Sequence, residues 1–145
     1  MAYDPTNIFA RILRGEIPCH KVYEDEHTLA FMDIMPQSEG HTLVVPKAQG
    51  ENVFDLPPEA LAATIRTVQK VARAVKKAFD PPGLMVAQLN GAAAGQSVFH
   101  LHFHVVPRYS GRDLSLHAGS MADPQQLAAH AGLFKCVAVD GHVTY

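Results

Sequence analysis

The chain has 145 residues, of which 48% are hydrophobic and 18% are charged, and its formal net charge is −2. This balance is ordinary for a globular protein and lacks the basic face that a general nucleic-acid binder needs. No apolar run approaches the roughly 20 residues that span a bilayer, and the first residues lack the basic and apolar regions of a signal peptide. We therefore expect one cytoplasmic domain over residues 1–145, with neither nucleic acid nor a membrane as partner.

The first half of the chain carries the signals of a short helix, three strands and one long helix. Thr6 or Asn7 is placed to cap a helix over residues 7–14, and Gly15 to end it. Alternation and turn signals predict strands at residues 21–24, 28–33 and 41–45. Apolar residues spaced by three or four predict the long helix over residues 58–79.

The second half predicts two more strands, at residues 84–89 and 98–106, on either side of a small-residue loop at 90–95. Weaker signals follow for a helix over residues 123–131 and a last strand over 134–139. The expected class is α+β, with a largely antiparallel sheet of about five strands, one long helix and a short N-terminal helix.

Three histidines, His100, His102 and His104, alternate with apolar residues in the fifth predicted strand. Successive side chains of a strand point to opposite faces, so the three imidazoles share one face, with neighbours roughly 7 Å apart. Imidazole titrates near neutral pH and serves as nucleophile, acid, base or metal ligand. This segment is therefore the strongest functional candidate in the chain.

Such a face is compatible with three interpretations. A neutral imidazole can attack phosphorus and form a phospho-histidine intermediate that water resolves. The histidines can instead ligate zinc or iron, although no carboxylate or cysteine partner stands at a recognisable spacing. The third alternative is a strand face of solvated histidines, which three spaced imidazoles with hydrophobic partners make the least favoured.

The loop before the triad favours phosphate. Residues 90–97 are rich in glycine and alanine, which let the backbone approach a ligand and turn consecutive N–H groups toward an anion. Gln96 and Ser97 add an amide and a hydroxyl. Loop and triad together predict a phosphate site set against a nucleophile.

The segment Gln96-Ser-Val-Phe-His100-Leu-His102-Phe-His104-Val-Val resembles the signature of the histidine triad (HIT) superfamily. Earlier segments are similar to its Hint-like branch in the same order and spacing. These segments are Ile8-Phe9, Gly15-Glu-Ile-Pro18, Tyr23-Glu-Asp25, Ala30-Phe-Met-Asp33-Ile34, Pro36 and Gly40-His-Thr-Leu-Val-Val-Pro-Lys47. The resemblance covers about residues 8–108 and leaves a divergent C-terminal segment, 109–145.

The resemblance implies a hydrolase or transferase that binds a purine nucleotide and acts at its α-phosphate. His102 matches the nucleophile, His104 the position that contacts the phosphate, and His100 the supporting first position. His41 matches a further histidine behind the triad, and Asp33 the acid that holds the ribose hydroxyls. The apolar slot for the base matches Ile8, Phe9, Ile12, Phe31 and Ile34. The contacts to the phosphate and the leaving group match Asn90, Gln96 and Ser97.

The resemblance also implies a homodimer, with the long helix and the strand after it at the interface, and a reaction that needs no metal cofactor. Many bacterial relatives carry a structural zinc on an N-terminal C-x-x-C, a helper histidine and the first triad histidine. This chain has Asn7, Ala10 and Gln49 at three of these four positions, so we expect no metal.

The chain has no tryptophan, and its tail matches no pattern of the family, in which this region helps to select the leaving group. A nucleoside phosphoramidate or adenylate hydrolase is the leading hypothesis. The alternatives are a dinucleoside polyphosphate hydrolase, a nucleotide-binding regulatory protein with incidental turnover, and a metalloprotein that uses the triad as ligands.

Overall fold

One antiparallel sheet with helices on both faces organises the chain. The computed structural model describes residues 2–111, 121–133, 138–139 and 142–143. The helices and strands are α1 (Ile8–Leu13), β1 (Lys21–Glu24), β2 (Thr28–Met32), β3 (Thr42–Pro46), α2 (Pro58–Phe79), β4 (Gly83–Gln88), β5 (Phe103–Arg108), α3 (Pro124–Leu133), β6 (Ala138–Val139) and β7 (His142–Val143). Within the described residues, five strands pair antiparallel in the order β1-β2-β3-β5-β4, and β6 pairs with β7. The predicted α+β class is confirmed.

Alternation along the central strands builds two hydrophobic cores, one on each face of the sheet. Ala30 and Val44 face α2 and α3, where they join Val71 and Val75 in one buried cluster. Leu29, Phe31, Leu43 and Val45 face α1, where they pack with Phe9 in the second cluster. Because both faces are covered, β2 and β3 are buried along their whole length.

The long helix α2 begins and ends where the sequence predicts. Pro58 starts it, since a helix needs no backbone N–H donor in its first turn. Asp80 ends it in a left-handed conformation with φ 43°. Lys76 and Lys77 lie in the last turn, where the helix dipole favours positive charge.

The strand that carries the triad begins later than predicted. β5 spans Phe103–Arg108, so the predicted strand over 98–106 is wrong in its first five residues, and only His104 of the triad lies within β5. β4 pairs with β5 only as far as Phe103. Before that point the chain is held by other bonds, because the Leu101 N–H donates to the carbonyl of Gly50 and the His100 ring bonds the carbonyl of Pro46.

The remaining predicted elements shift by a residue or two at their ends. Asn7 caps α1, its side-chain oxygen accepting the N–H of Ala10 at 2.9 Å. Asp123 precedes α3 and accepts the N–H of Gln125, as its predicted capping role requires. The predicted strand over 134–139 is found at Ala138–Val139, and residues 134–137 lie outside the described residues.

Among the described helices, none combines the length and apolar composition that crossing a bilayer requires. That residues 1–145 form a single domain stays a prediction.

Candidate active site

A cavity of about 300 Å³ opens between α1, the end of β2 and the histidine segment. Its wall contains ten of the predicted site residues, namely Ile8, Phe9, Ile12, Phe31, Asp33, Ile34, His41, Ser97, His102 and His104. His100, Asn90 and Gln96 do not line it. The fold thus brings together residues that are almost a hundred positions apart in the chain.

His102 has one ring nitrogen fixed by the main chain. Its Nδ1 lies 2.8 Å from the carbonyl oxygen of His100. A carbonyl only accepts, so Nδ1 carries the proton, and a neutral ring then keeps its lone pair on Nε2. Phe9 packs edge-on against the ring, with centroids 4.8 Å apart. His102 therefore lines the cavity as a ring whose lone pair is on Nε2.

His104 and His41 have the opposite proton arrangement. The backbone N–H of Gln37 donates to Nδ1 of His41 at 3.0 Å, so a neutral His41 carries its proton on Nε2. That Nε2 lies 3.0 Å from Nδ1 of His104, which accepts the bond. The proton of His104 is then on its own Nε2. The two rings next to each other in the cavity, His102 and His104, thus offer a lone pair and an N–H donor.

His100 is buried behind the wall, and both of its ring nitrogens are bonded to the protein. Its Nε2 donates to the carbonyl oxygen of Pro46 at 2.8 Å. Its Nδ1 accepts from the hydroxyl of Tyr3 at 2.5 Å. His100 therefore acts through its position and its carbonyl rather than through a nitrogen that faces the cavity.

Burial keeps these four histidines neutral at pH 7. It lowers the pKa of His100 and of His102 below the ordinary value of imidazole. Burial, with the neighbouring histidine rings as a smaller cause, lowers the pKa of His41 to about 3 and that of His104 to about 4. A neutral imidazole keeps one lone pair and one N–H donor.

Asp33 follows β2 directly and faces His41 across the connection to β3. Its Oδ1 accepts the N–H of Met35 at 2.8 Å, and its Oδ2 lies 3.4 Å from Nε2 of His41. Because His41 is neutral, this contact is not an ion pair. Burial raises the pKa of Asp33 to about 6, and the Met35 N–H opposes that rise. At pH 7 the carboxylate offers two acceptor oxygens at the cavity.

The apolar wall has a buried base and an exposed rim. Phe9 and Phe31 are 7% and 3% exposed and pack edge-to-face, whereas Ile8 and Ile34 at the mouth are 40% and 43% exposed. Exposed isoleucines beside a cavity leave apolar surface for a ligand to cover. The wall is thus suited to a flat, largely apolar group such as a nucleobase.

The small-residue loop folds as a tight 3-10 turn at Ala92–Ala94 between two glycines with positive φ. Gly91 has φ 90° and Gly95 has φ 101°, conformations that other residues rarely adopt. Gly95 and the exposed Ser97 line the cavity next to the histidines. The backbone and one hydroxyl of this loop therefore border the space above His102.

Asn90 and Gln96 hold this loop from behind. The Gln96 side chain accepts the N–H of Gly91 and donates to the carbonyl of Glu51, both at 2.7 Å. The Asn90 side chain accepts the N–H of Val53 at 2.8 Å. These bonds tie the loop to the segment before α2 and set its position relative to the triad.

Several cavity residues were given no role in the site by the sequence. Apolar side chains from two distant segments extend the wall, namely Ile17, Pro18, Cys19, Leu89 and Val98. Tyr3, which bonds His100, was also missed. Isolated apolar residues and a tyrosine near the chain start have no periodicity to identify them, so only the fold could assign them to the site.

The ligand atoms of Asp33, His41 and His104 lie within 4.8 Å of one another, a spacing that suits a metal ion. A neutral imidazole bound to metal through Nε2 needs its proton on Nδ1. Nδ1 of His41 instead accepts the N–H of Gln37. His100 has no nitrogen left for a cation, since both are bonded. The donor set therefore disfavours the alternative of a triad that ligates metal.

An antiparallel sheet with three spaced histidines beside an apolar cavity defines the class of histidine-triad proteins, a superfamily of nucleotide-binding hydrolases and transferases. The family model of the HIT domain matches residues 14–111, more than half of the chain. The chain belongs to the HIT family, and the resemblance seen in the sequence is confirmed.

Curated relatives and solved structures agree with this assignment. Protein hit of Bacillus subtilis is 50% identical over 106 residues, which are 73% of this chain and 73% of that protein. Adenylylsulfatase HINT3 of Arabidopsis thaliana is 41% identical over 101 residues, 70% of this chain and 51% of that protein. A crystal structure of a Hit-like protein involved in cell-cycle regulation from Bartonella henselae is similar with a TM-score of 0.86 and 47% identity, over 92% of this chain and 96% of that one.

Proposed function

We propose that this protein hydrolyses purine nucleoside phosphoramidates or related adenylates at the α-phosphate, through a nucleotidyl intermediate on His102. The observation that carries the proposal is the bond from Nδ1 of His102 to the carbonyl of His100. It directs the lone pair of a buried, neutral imidazole to Nε2 in a cavity with an apolar wall.

The reaction has two displacements at one phosphorus atom. In the first, Nε2 of His102 bonds to the α-phosphorus, and the bond from phosphorus to the amine nitrogen breaks. The leaving amine takes up a proton from solvent as it departs. In the second, water attacks the same phosphorus and gives up a proton to solvent, the phosphorus–Nε2 bond breaks, and the nucleoside monophosphate is released. The Nε2–H of His104 donates to a phosphoryl oxygen as charge develops there.

Substrate binding uses both ends of the cavity. Phe9, Phe31 and Ile34 take the base, and the two oxygens of Asp33 accept the ribose hydroxyls. Ser97 contacts the phosphate or the leaving group from the loop. Asn90 and Gln96 contribute by holding that loop, since their side chains bond the backbone of neighbouring segments.

A relative supports an adenylate substrate. HINT3 of Arabidopsis carries the name adenylylsulfatase, so it acts on an adenylyl group joined to sulfate. The same attack at the α-phosphorus serves a phosphoramidate, an acyl-adenylate or an adenylyl sulfate, because only the leaving group differs. The divergent segment 109–145 is where we expect the choice of leaving group to be made.

We further propose that the protein is a cytoplasmic homodimer joined along β4 and α2. β4 is an edge strand, and such strands offer unpaired backbone groups to a second chain. Val86 on β4 and Ile65 on α2 are 44% and 47% exposed, which leaves apolar surface on the predicted interface.

Light scattering should give twice the monomer mass, and Val86→Lys should give the monomer. Met121→Lys, which charges a residue that is 66% exposed and belongs to neither β4 nor α2, should stay dimeric.

The experiment that tests the function compares substrates. Adenosine phosphoramidate, an acyl-adenylate, adenylyl sulfate and diadenosine polyphosphate are incubated with the protein and with His102→Ala, and AMP is measured. The proposal expects AMP from the first three substrates with the native protein and none with the variant. Preferential cleavage of the diadenosine compound would favour the dinucleoside polyphosphate alternative, and no turnover at all would leave a nucleotide-binding regulator.

A further inference from the structure

The structural zinc site that many bacterial relatives carry does not fit this chain. An amide stands at Asn7, a methyl group at Ala10 and an exposed amide at Gln49, none of which is a good zinc ligand. At the fourth position, His100, both ring nitrogens are already hydrogen-bonded, Nε2 to the carbonyl of Pro46 and Nδ1 to the hydroxyl of Tyr3. In this chain a tyrosine hydroxyl thus holds the first triad histidine.

The protons of this contact follow from the neighbouring bonds. Nε2 of His100 faces the carbonyl of Pro46 and carries the proton, so Nδ1 is an acceptor and the hydroxyl of Tyr3 is the donor. The oxygen of Tyr3 in turn accepts from Nδ2 of Asn7 at 2.9 Å. Burial raises the pKa of Tyr3, so the hydroxyl keeps the proton that it donates.

We propose that Tyr3, held by Asn7, is a positioning residue that fixes His100 and thereby the orientation of His102, in place of a structural metal. The inference rests on the proposed role of His102 as nucleophile. Tyr3 is only two hydrogen bonds from His102, because the carbonyl of His100 accepts the proton of His102 Nδ1. Both Tyr3 and Asn7 precede residue 14, where the family match begins.

The same contact joins the triad to the wall of the base slot. Asn7 caps α1 through its oxygen while its amide nitrogen donates to Tyr3. α1 carries Phe9, whose ring packs against His102 with centroids 4.8 Å apart. One asparagine therefore links the start of the helix to the first histidine, and movement of the N-terminal segment would reach both sides of His102.

Two variants each remove one hydrogen-bond donor from this network. Tyr3→Phe keeps the ring, whose centroid lies 5.7 Å from that of His100, and removes only the hydroxyl. Asn7→Ser keeps a helix-capping oxygen and removes the amide donor. Tyr23→Phe is the matched control, since its hydroxyl also bonds a side chain, that of Asp25, at the turn between β1 and β2.

The first readout needs no substrate. Long-range nitrogen–proton NMR spectra of histidine-labelled protein report the bonding of each ring nitrogen. We expect Tyr3→Phe to shift the Nδ1 resonance of His100 and, to a lesser extent, the ring resonances of His102, while Tyr23→Phe leaves both in place. A native His100 signal in Tyr3→Phe would overturn the inference whatever the substrate of the enzyme.

The second readout separates positioning from folding. With adenosine phosphoramidate, we expect Tyr3→Phe to lower kcat about threefold to tenfold, the effect of one lost hydrogen bond, with KM within about twofold. Asn7→Ser should also lower kcat, but by less. If Tyr3→Phe does not fold, Asn7→Ser tests the role of this hydrogen-bond network instead. An unchanged kcat with a shifted His100 resonance would refute the link to His102. Absence of turnover in the native protein would refute the proposed function alone, because the NMR result stands without substrate.

Discussion

Nδ1 of His102 donates to the main-chain carbonyl of His100 at 2.8 Å, so the backbone of one triad member sets the tautomer of the next. The proposed nucleophile therefore needs no carboxylate partner to orient it. Its proton stays on the side away from the substrate as long as the segment between the two histidines keeps its conformation, which makes the position of His100 as important as its side chain.

The first prediction concerns the pH dependence of the covalent step. Because burial lowers the pKa of His102, the ring should stay neutral in the mildly acidic range where ordinary imidazole protonates. The rate of nucleotidylation at saturating substrate, followed by rapid quench, should be constant from about pH 8 down to below about pH 6.5. A rate that has fallen by half at the ordinary imidazole pKa would contradict this account.

The second prediction concerns Asp33 and substrate binding. Its pKa is raised to about 6, so the carboxylate that we propose accepts the ribose hydroxyls is lost as the pH falls through that value. KM should rise below pH 6 while kcat changes less. Asp33→Asn should raise KM about tenfold at pH 7 and remove its dependence on pH near 6.

Asp80→Asn is the control for this series, because Asp80 is an exposed carboxylate at the end of α2 and asparagine tolerates its left-handed conformation. It should leave KM and its pH profile as in the native protein. If Asp33→Asn has the native KM at pH 7, the ribose-binding role is wrong.

The third prediction concerns His41, which bonds Nδ1 of His104 at 3.0 Å. His41→Ala leaves that nitrogen buried without its donor and should lower kcat about 10- to 100-fold. His41→Gln retains an N–H donor of similar reach and should recover part of the loss. Steady-state kinetics of the two variants measure this difference, and equal activity of the two would show that the bond to His104 is not what matters.

The fourth prediction is that acid destabilises the fold. His41 has a pKa of about 3 in the folded protein against the ordinary imidazole value of 6.5, so the unfolded chain binds more protons below about pH 6.5. Stability should therefore fall as the pH drops from 6.5 toward 4. The pKa of Asp33 is raised in the folded protein, so its contribution to stability increases as the pH falls from 6 to 3.8. The loss of stability from four histidines with lowered pKa is larger than this gain from one carboxyl.

Urea denaturation at a series of pH values measures this slope. His41→Gln should flatten it, whereas substitution of the exposed His27 by glutamine should leave it unchanged. A stability that increases steadily from pH 6.5 to pH 4 would contradict the burial of neutral histidines.

The fifth prediction concerns metal. Since both ring nitrogens of His100 are hydrogen-bonded, Nδ1 to the hydroxyl of Tyr3, dialysis against a chelator should alter neither the melting temperature nor kcat. Elemental analysis checks the metal content of the same sample. Stoichiometric zinc together with a loss of activity after chelation would show that the protein binds a functional zinc ion and that the prediction is wrong.

The sequence alone predicts the elements whose stability is local or periodic. The long helix follows from the spacing of its apolar residues and from proline at its start, and the structure has the same bounds. The start of β5 could not be predicted, because alternation continues through His100 and His102 although β4 no longer pairs with the chain there. Pairing partners, rather than the residues of the strand, decide where it begins.

The candidate site divides in the same way. The triad, Asp33 and the aromatic wall follow from a dense motif and a specific resemblance, and the cavity contains most of them. The hydrogen bond from Tyr3 to His100 could not be predicted, because the two residues are 97 positions apart and no sequence pattern surrounds Tyr3. Gln96 was expected to contact phosphate, but its buried amide bonds the loop backbone, a distinction that depends on three-dimensional packing.

The central claim is that His102 becomes nucleotidylated, and the intermediate itself is the most direct test. The protein is mixed with adenosine phosphoramidate for less than one turnover, quenched in neutral denaturant because phosphohistidine is acid-labile, and mapped by mass spectrometry. We predict an added adenylyl group on the peptide that contains His102, located at that ring by fragmentation and absent from His102→Ala. An adenylyl group on His100, His104 or any other residue, or turnover that persists in His102→Ala, would contradict the account.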